Sequence, residues 1–264
     1  MLLENKIAVI YGGGGLIGGA TARAFAREGA RVFLVGRTLA ALDAVAADIS
    51  AARGQVETAL VDALDERAVE EHVNAVVERA GGIDVSFNAI GIRGEMQGTP
   101  LVEMSREDYA TPITVGTTAH FLTARAAARH MIEQRSGVIL LLTATATWNQ
   151  AALRTPIPMG GFGAACAAIE GLSRTLAGEL GPSGIRVVCL RSEGTAELLA
   201  SAPDFEGFAT GLAGDLRGLL ERETLLRRLP RVAEVAAAAV LLASDHASGM
   251  TATIANVNCG AVPD

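Results

Sequence analysis

Aromatic residues are scarce, 4% of 264, and include only two tyrosines, Tyr11 and Tyr109, and one tryptophan, Trp148. A core with so few rings must be packed from Ala, Val, Leu and Ile, which suits slim helices lying closely on a sheet. The three cysteines, Cys166, Cys189 and Cys259, are too far apart for a CxxC motif. Their odd number suits reduced thiols better than a disulfide framework, so a cytoplasmic protein is expected. Basic runs are absent and the net charge is −7, which argues against nucleic acid as a partner. No apolar run approaches the length that spans a bilayer. Met1 to Ile10 passes into an apolar strand without a basic leader, so neither secretion nor a membrane partner is expected.

What is present is an apolar, glycine-rich chain: 50% hydrophobic residues and 30 glycines against eight prolines, with a mean hydropathy of +0.34. Such a composition supports a large core and opposes disorder. Short apolar runs at Lys6–Tyr11, Arg31–Val35, Val56–Val61 and Asp84–Asn88 alternate with helical spacing at Ile17–Glu28, Leu39–Ala52 and Glu66–Ala80. The alternation continues with a helix at Tyr109–Gln134, a strand at Gly137–Leu142, a helix at Gly160–Leu180 and a strand at Arg186–Leu190. Ala202–Leu229 is less regular, with short helices expected, before a helix at Glu234–Ala243 and a strand at Thr253–Val257. This order predicts an α/β fold, a doubly wound parallel sheet of Rossmann-like architecture. No linker, repeat or charge block divides the chain, so residues 1–264 are read as one domain with a variable substrate-side region near 192–229.

Between the first strand and helix runs Tyr11-Gly12-Gly13-Gly14-Gly15-Leu16-Ile17-Gly18. Bare amides at a helix N-terminus can hold a pyrophosphate, and glycines let it approach; the alternative is a tight βα turn with no ligand. The second strand ends in Leu34-Val35-Gly36-Arg37-Thr38, with no carboxylate for a ribose 2′-hydroxyl. Arg37 suits a 2′-phosphate, which favours NADP(H) over NAD(H), unless it is simply a solvated surface residue.

From residue 4 to about 261 the chain resembles the short-chain dehydrogenase/reductase family. Tyr11–Gly18 resembles the TGxxxGIG loop, with Tyr11 in place of threonine and Leu16 in place of the middle glycine. The resemblance implies cofactor contacts at Gly12, Gly14, Gly15, Ile17 and Gly18, at Arg37 and Thr38, at Asp62 and Ala63, and at Asn88, Ala89 and Ile90. For Asp62 a turn cap, and for Asn88 strand-end packing, are the alternatives. Gly163-Ala164, Ala167 to Leu172, Glu179 to Pro182 and Gly184 to Val187 are similar to the segments around the active-site helix. Glu234-Val235-Ala236, Leu241 to Ser244, Thr251 and Val257 to Gly260 resemble the closing helix and strand, a segment that in the family commonly supports a homo-oligomer, tetramer or dimer.

The family's Asn, Ser, Tyr and Lys correspond by this resemblance to Gly116, Ala144, Phe162 and Cys166. No shift of register restores the motif, because the one lysine is Lys6 and no tyrosine precedes it by four. A positioned acid is worth about 10²–10⁴ in rate, roughly 3–5 kcal/mol, so ketone reduction by the usual route is expected to be crippled. Other catalytic candidates are Thr145, with an ordinary loop as its alternative, Cys166 as a nucleophile, with small-residue packing as its alternative, and His120 as a proton carrier, with a packed or partly exposed helix residue as its alternative. Thr145, Trp148, Asn149, Gln150 and Phe162, with Arg154, are candidates to line a substrate pocket beyond a strand's carboxyl end. Arg191-Ser192-Glu193-Gly194-Thr195 stands where the family has proline-glycine, and Arg191 and Glu193 either contact cofactor or substrate or pair with each other.

Three functions are compatible with these residues. The first is NADP(H)-dependent reduction of a small molecule that needs little protonation, such as a cationic imine or an activated enone. The second is non-redox chemistry on the same fold: cyclisation, dehydration or isomerisation. The third is a catalytically silent nucleotide-binding subunit. No metal site is expected.

Overall fold

In the computed structural model, residues 1–92, 94, 97–146, 158–201 and 216–261 are described. Strands β1 (Ile7–Tyr11), β2 (Arg31–Gly36), β3 (Gln55–Leu60), β4 (Val85–Asn88), β5 (Gly137–Ala144), β6 (Ile185–Ser192) and β7 (Thr253–Val257) form one sheet in the order β3-β2-β1-β4-β5-β6-β7. Every pairing is parallel. The inner strands are buried on both faces, which is why IAVIY and VSFN read as continuous apolar runs rather than alternating ones.

Helices α1 (Leu16–Arg27), α2 (Leu39–Ala51) and α8 (Val232–Ala243) cover one face, around a core that includes Phe25, Leu34, Leu42, Phe87, Leu140 and Val235. Helices α3 (Glu66–Ala80), α4 (Arg106–Gln134) and α5 (Gly160–Leu180) cover the other, around Val9, Val35, Val73, Met131, Ile139 and Ile169. Short helix α6 (Ala196–Ser201) lies in the variable region near 192–229, ahead of the irregular stretch Ala202–Leu229 that holds α7 (Leu216–Glu223). None of the described helices is long and apolar enough to cross a membrane.

Four boundaries depart from the sequence reading by two residues or more, each for a local reason. Helix α4 starts at Arg106, before Tyr109, because the Ser105 hydroxyl accepts the Asp108 N–H at 3.1 Å and caps the first turn. Helix α8 starts at Val232, before Glu234, because the Glu234 carboxylate reaches back to the Arg231 N–H at 2.8 Å. Strands β5 and β6 each run two residues past Leu142 and Leu190, pairing Thr143 with Arg191 and Ala144 with Ser192. That extension carries Thr145 and Glu193 to adjacent strand ends.

Because β1 pairs with β2 on one side and β4 on the other, consecutive crossovers diverge at β1. In such a sheet the crevice opens at the carboxyl ends of the strands where the order reverses. Helix α5 is seated close to α4 by Gly161, where a Cβ would lie 2.0 Å from the Tyr109 carbonyl oxygen.

Candidate functional site

A cleft of about 670 Å³ occupies this crevice, within the size range of small-molecule sites. Its floor is the glycine turn. Gly12 has φ +75°, and a Cβ there would meet the Ala89 carbonyl oxygen at 2.8 Å; a Cβ on Gly18 would reach the Gly12 oxygen at 2.2 Å. Both positions therefore require glycine, and their absence of side chains lets α1 press on the turn. Leu16, at the family's middle glycine, has no positive φ, so its side chain brings no backbone strain; it is 44% exposed. Helix α1 has Gly15 as N-cap with no side-chain cap and no acidic residue in its first turn. First-turn amides without such partners, at the positive end of the helix dipole, are suited to an anion.

Gly12, Gly14, Gly15, Arg37, Thr38, Asp62, Ala63, Ala89 and Ile90 all line the cleft. Arg37 is exposed there and has no partner among the described residues. Asp62 also accepts the Leu64 N–H at 3.0 Å, so it shapes the turn it lines. Asn88 is buried below: its amide donates to the Ala119 carbonyl at 3.2 Å and the Thr123 hydroxyl at 2.9 Å, and its oxygen accepts the Ile90 N–H at 3.0 Å. It fixes the turn that presents Ala89 and Ile90. Gly18 sits under the turn, and Ile17 faces an adjoining pocket.

That second pocket, about 240 Å³, shares Ile90 and Gly91 with the cleft. Ile92, Leu142, Met159, Leu198 and Leu199 give it apolar walls, and Ala144, Thr145 and Phe162 line it as well. Trp148, Asn149 and Gln150, with Arg154, lie outside the described residues.

The other catalytic candidates, Cys166 and His120, line neither cavity. Cys166 is fully buried, and burial pushes its thiol up to about 12, so at neutral pH it is an uncharged thiol. His120 is fully buried too, and desolvation lowers its pKa to about 4 against the pull of the Gly116 and Leu142 carbonyls. Its Nδ1 lies 2.8 Å from the Gly116 oxygen; since a carbonyl only accepts, Nδ1 carries the proton of a neutral ring. Gly116 leaves ordinary space, with a Cβ 3.6 Å from Ile92.

Arg191 and Glu193 do not pair with each other. The Arg191 guanidinium forks onto Glu170 of α5, Nε to Oε1 and Nη2 to Oε2, both at 2.7 Å, and reaches Asn256 at 3.1 Å. Sequence reading overlooked Glu170, although it continues the i, i+4, i+8 face that Phe162 and Cys166 begin. Glu193 instead lines the small pocket. One of its oxygens accepts the Thr145 hydroxyl and the other accepts the Gly194 N–H at 3.0 Å.

A family model described as enoyl-(acyl carrier protein) reductase matches residues 15–262. A 3-oxoacyl-(acyl-carrier-protein) reductase of Chlamydia muridarum is 31% identical over 262 residues, covering 98% of this chain and 98% of that protein. A D-threitol dehydrogenase of Mycolicibacterium smegmatis is 30% identical over 250 residues, 93% of this chain and 88% of the relative. Among solved structures, an NAD+-bound xylitol dehydrogenase superposes with a TM-score of 0.88 at 25% identity, over 98% of this chain and 100% of the other.

Proposed function

Because the chain belongs to the short-chain dehydrogenase/reductase family, oxidoreductases that use nicotinamide cofactors, we propose that it is an NADP(H)-dependent reductase of an activated small molecule, an imine or an enone. The observation that carries this reading is the pocket beside the cleft, which Phe162 and Ala144 line with side chains that hold no exchangeable proton.

The residues fit the cofactor. The uncapped first turn of α1 would hold the pyrophosphate, Arg37 the 2′-phosphate, and Asp62 with Ala63 the adenine side. Bound, the nicotinamide would supply hydride. The chain's own contribution is a pocket with largely apolar walls beside the cofactor cleft. Addition of hydride to a ketone leaves an alkoxide that must be protonated, whereas addition to a cationic imine leaves a neutral amine. An active site without the tyrosine and lysine loses about 10²–10⁴ on the first reaction and nothing on the second.

The test is stoichiometric oxidation of NADPH, followed by its absorbance, with cyclic iminium salts, activated enones and simple ketones. Turnover of the first two groups and not the third is expected; efficient ketone reduction sinks the proposal. The carboxylate of Glu193 in the pocket favours one second reading, proton transfer on a bound substrate without redox change. It would give product with no change in NADPH absorbance.

A further inference from the structure

We propose that Gln97 is a substrate-binding residue whose side-chain amide donates a hydrogen bond to the carbonyl oxygen of an otherwise apolar substrate, which makes the enone the substrate class of the small pocket. The inference rests on the reductase reading above and narrows it.

Gln97 lies in the loop between β4 and α4, and the backbone around it is tied at two points. Its N–H donates to the Gly94 carbonyl at 3.0 Å, closing a turn, and the Gly98 N–H donates to the Pro158 carbonyl at 2.7 Å, just ahead of α5. The loop is thereby fastened to the helix that carries Phe162. The Gln97 side chain folds back over Gly94, where a Cβ would lie 3.1 Å from its Oε1 and 3.5 Å from its Nε2. Glycine at 94 leaves the amide its room.

Most of the pocket wall is Ile, Leu, Met and Phe. The hydroxyls that line it already have partners. Thr145 donates to the Glu193 carboxylate, Ser192 to the Glu193 backbone carbonyl at 2.8 Å, and the Thr143 oxygen lies 3.4 Å from the Cys189 sulfur. Glu193 accepts from Thr145 and from the Gly194 N–H and has a further interaction besides. The half-buried Gln97 lines the same pocket, and its amide has no hydrogen-bond partner among the described residues. Its N–H groups are thus donors held ready for a ligand.

A pocket of about 240 Å³ with apolar walls and one unengaged amide fits a compact apolar molecule carrying a single acceptor atom. An enone meets that description. Its β-carbon takes hydride from NADPH, oxidising it to NADP+, while the C=C electron pair shifts to give an enolate. Negative charge grows on the oxygen, so the Gln97 N–H binds it more strongly there than in the ground state. The α-carbon then takes a proton from water, giving the saturated ketone without an acidic side chain. A cationic imine offers no acceptor atom to this N–H.

Binding is read by calorimetry on the full chain with benzalacetone and with the diene that carries a methylene group in place of its oxygen. Gln97→Leu should weaken benzalacetone about 3- to 10-fold, the worth of one neutral hydrogen bond, and leave the diene unchanged. The absorption of bound benzalacetone should lie to the red of its position in hexane, and Gln97→Leu should return it towards that position. With NADPH, kcat should fall about 10²- to 10³-fold in Gln97→Leu, the worth of one donor to a developing oxyanion, and Gln97→Asn should keep part of the rate. Gly94→Ala, which crowds the amide, should weaken the enone and spare the diene. Undiminished benzalacetone binding in Gln97→Leu, equal losses for both probes, no binding of either, or NADPH oxidation by iminium salts but not by benzalacetone overturns the assignment. NADPH titration separates the two claims. If Gln97→Leu binds NADPH normally but loses affinity for the enone alone, it is folded and the assignment stands. If the unaltered protein binds benzalacetone through Gln97 yet binds no NADPH, the reductase reading alone falls.

Discussion

The Glu170–Arg191 pair offers the sharpest test of how the ground beneath the pocket is built. The Arg191 side chain is 2% exposed and that of Glu170 6%. Water therefore cannot replace either partner. Replacing Glu170 by alanine removes the fork from the Arg191 guanidinium, which keeps Asn256, at 3.1 Å, among its partners. Two charge-assisted bonds of 2.7 Å vanish, each worth about 1.5–3 kcal/mol. The cost of breaking a buried pair in this way is about 3–5 kcal/mol.

Removing both charges has a different cost. In Glu170→Leu with Arg191→Met the desolvation of two ions disappears along with their attraction, so the double variant should range from neutral to about 4 kcal/mol more stable than the parent. Urea unfolding at pH 7, followed by circular dichroism with slopes compared, measures all three proteins. A cost below about 1 kcal/mol for Glu170→Ala would mean that solvent reaches the site. A double variant as damaged as the sum of its singles would refute the desolvation argument. Neither residue lines the cleft or the pocket, so the double variant should still bind nucleotide.

Arg37→Ala should weaken NADPH about 10- to 100-fold while changing NADH little, as read by calorimetry, because one charged hydrogen-bonding group is lost. His120 has a folded pKa of about 4, below the ordinary 6.5; between those values the unfolded chain binds a proton that the native one refuses, so stability falls as the pH drops through that window. The loss is roughly 3 kcal/mol, and His120→Asn should flatten the slope in acid unfolding curves. Cys166 and Cys189 are both pushed up to about 12 by burial. Native protein should therefore resist iodoacetamide at these two positions at pH 8 while unfolded protein is alkylated, which peptide mass mapping would check. Phe162→Tyr should remain poor at ketone reduction, since without a neighbouring cation the phenol stays near its ordinary pKa of about 10; a large rise in ketone turnover would contradict this.

The sheet was legible because parallel strands buried on both faces write continuous apolar runs, and because β1, β4 and β5 are punctuated by Gly12, Gly91 and Gly137. The boundary differences have side-chain causes: Ser105 with Asp108, and Arg231 with Glu234, are capping signals that were present but not weighed. The residues of the cleft follow local motifs at strand ends, so spacing alone brought them close in the reading. The small pocket is different. Thr145 and Glu193 meet because β5 and β6, 48 residues apart, end in register, and Arg191 turns to Glu170, 21 residues before it. Such pairings depend on tertiary packing and leave no periodic trace in the chain.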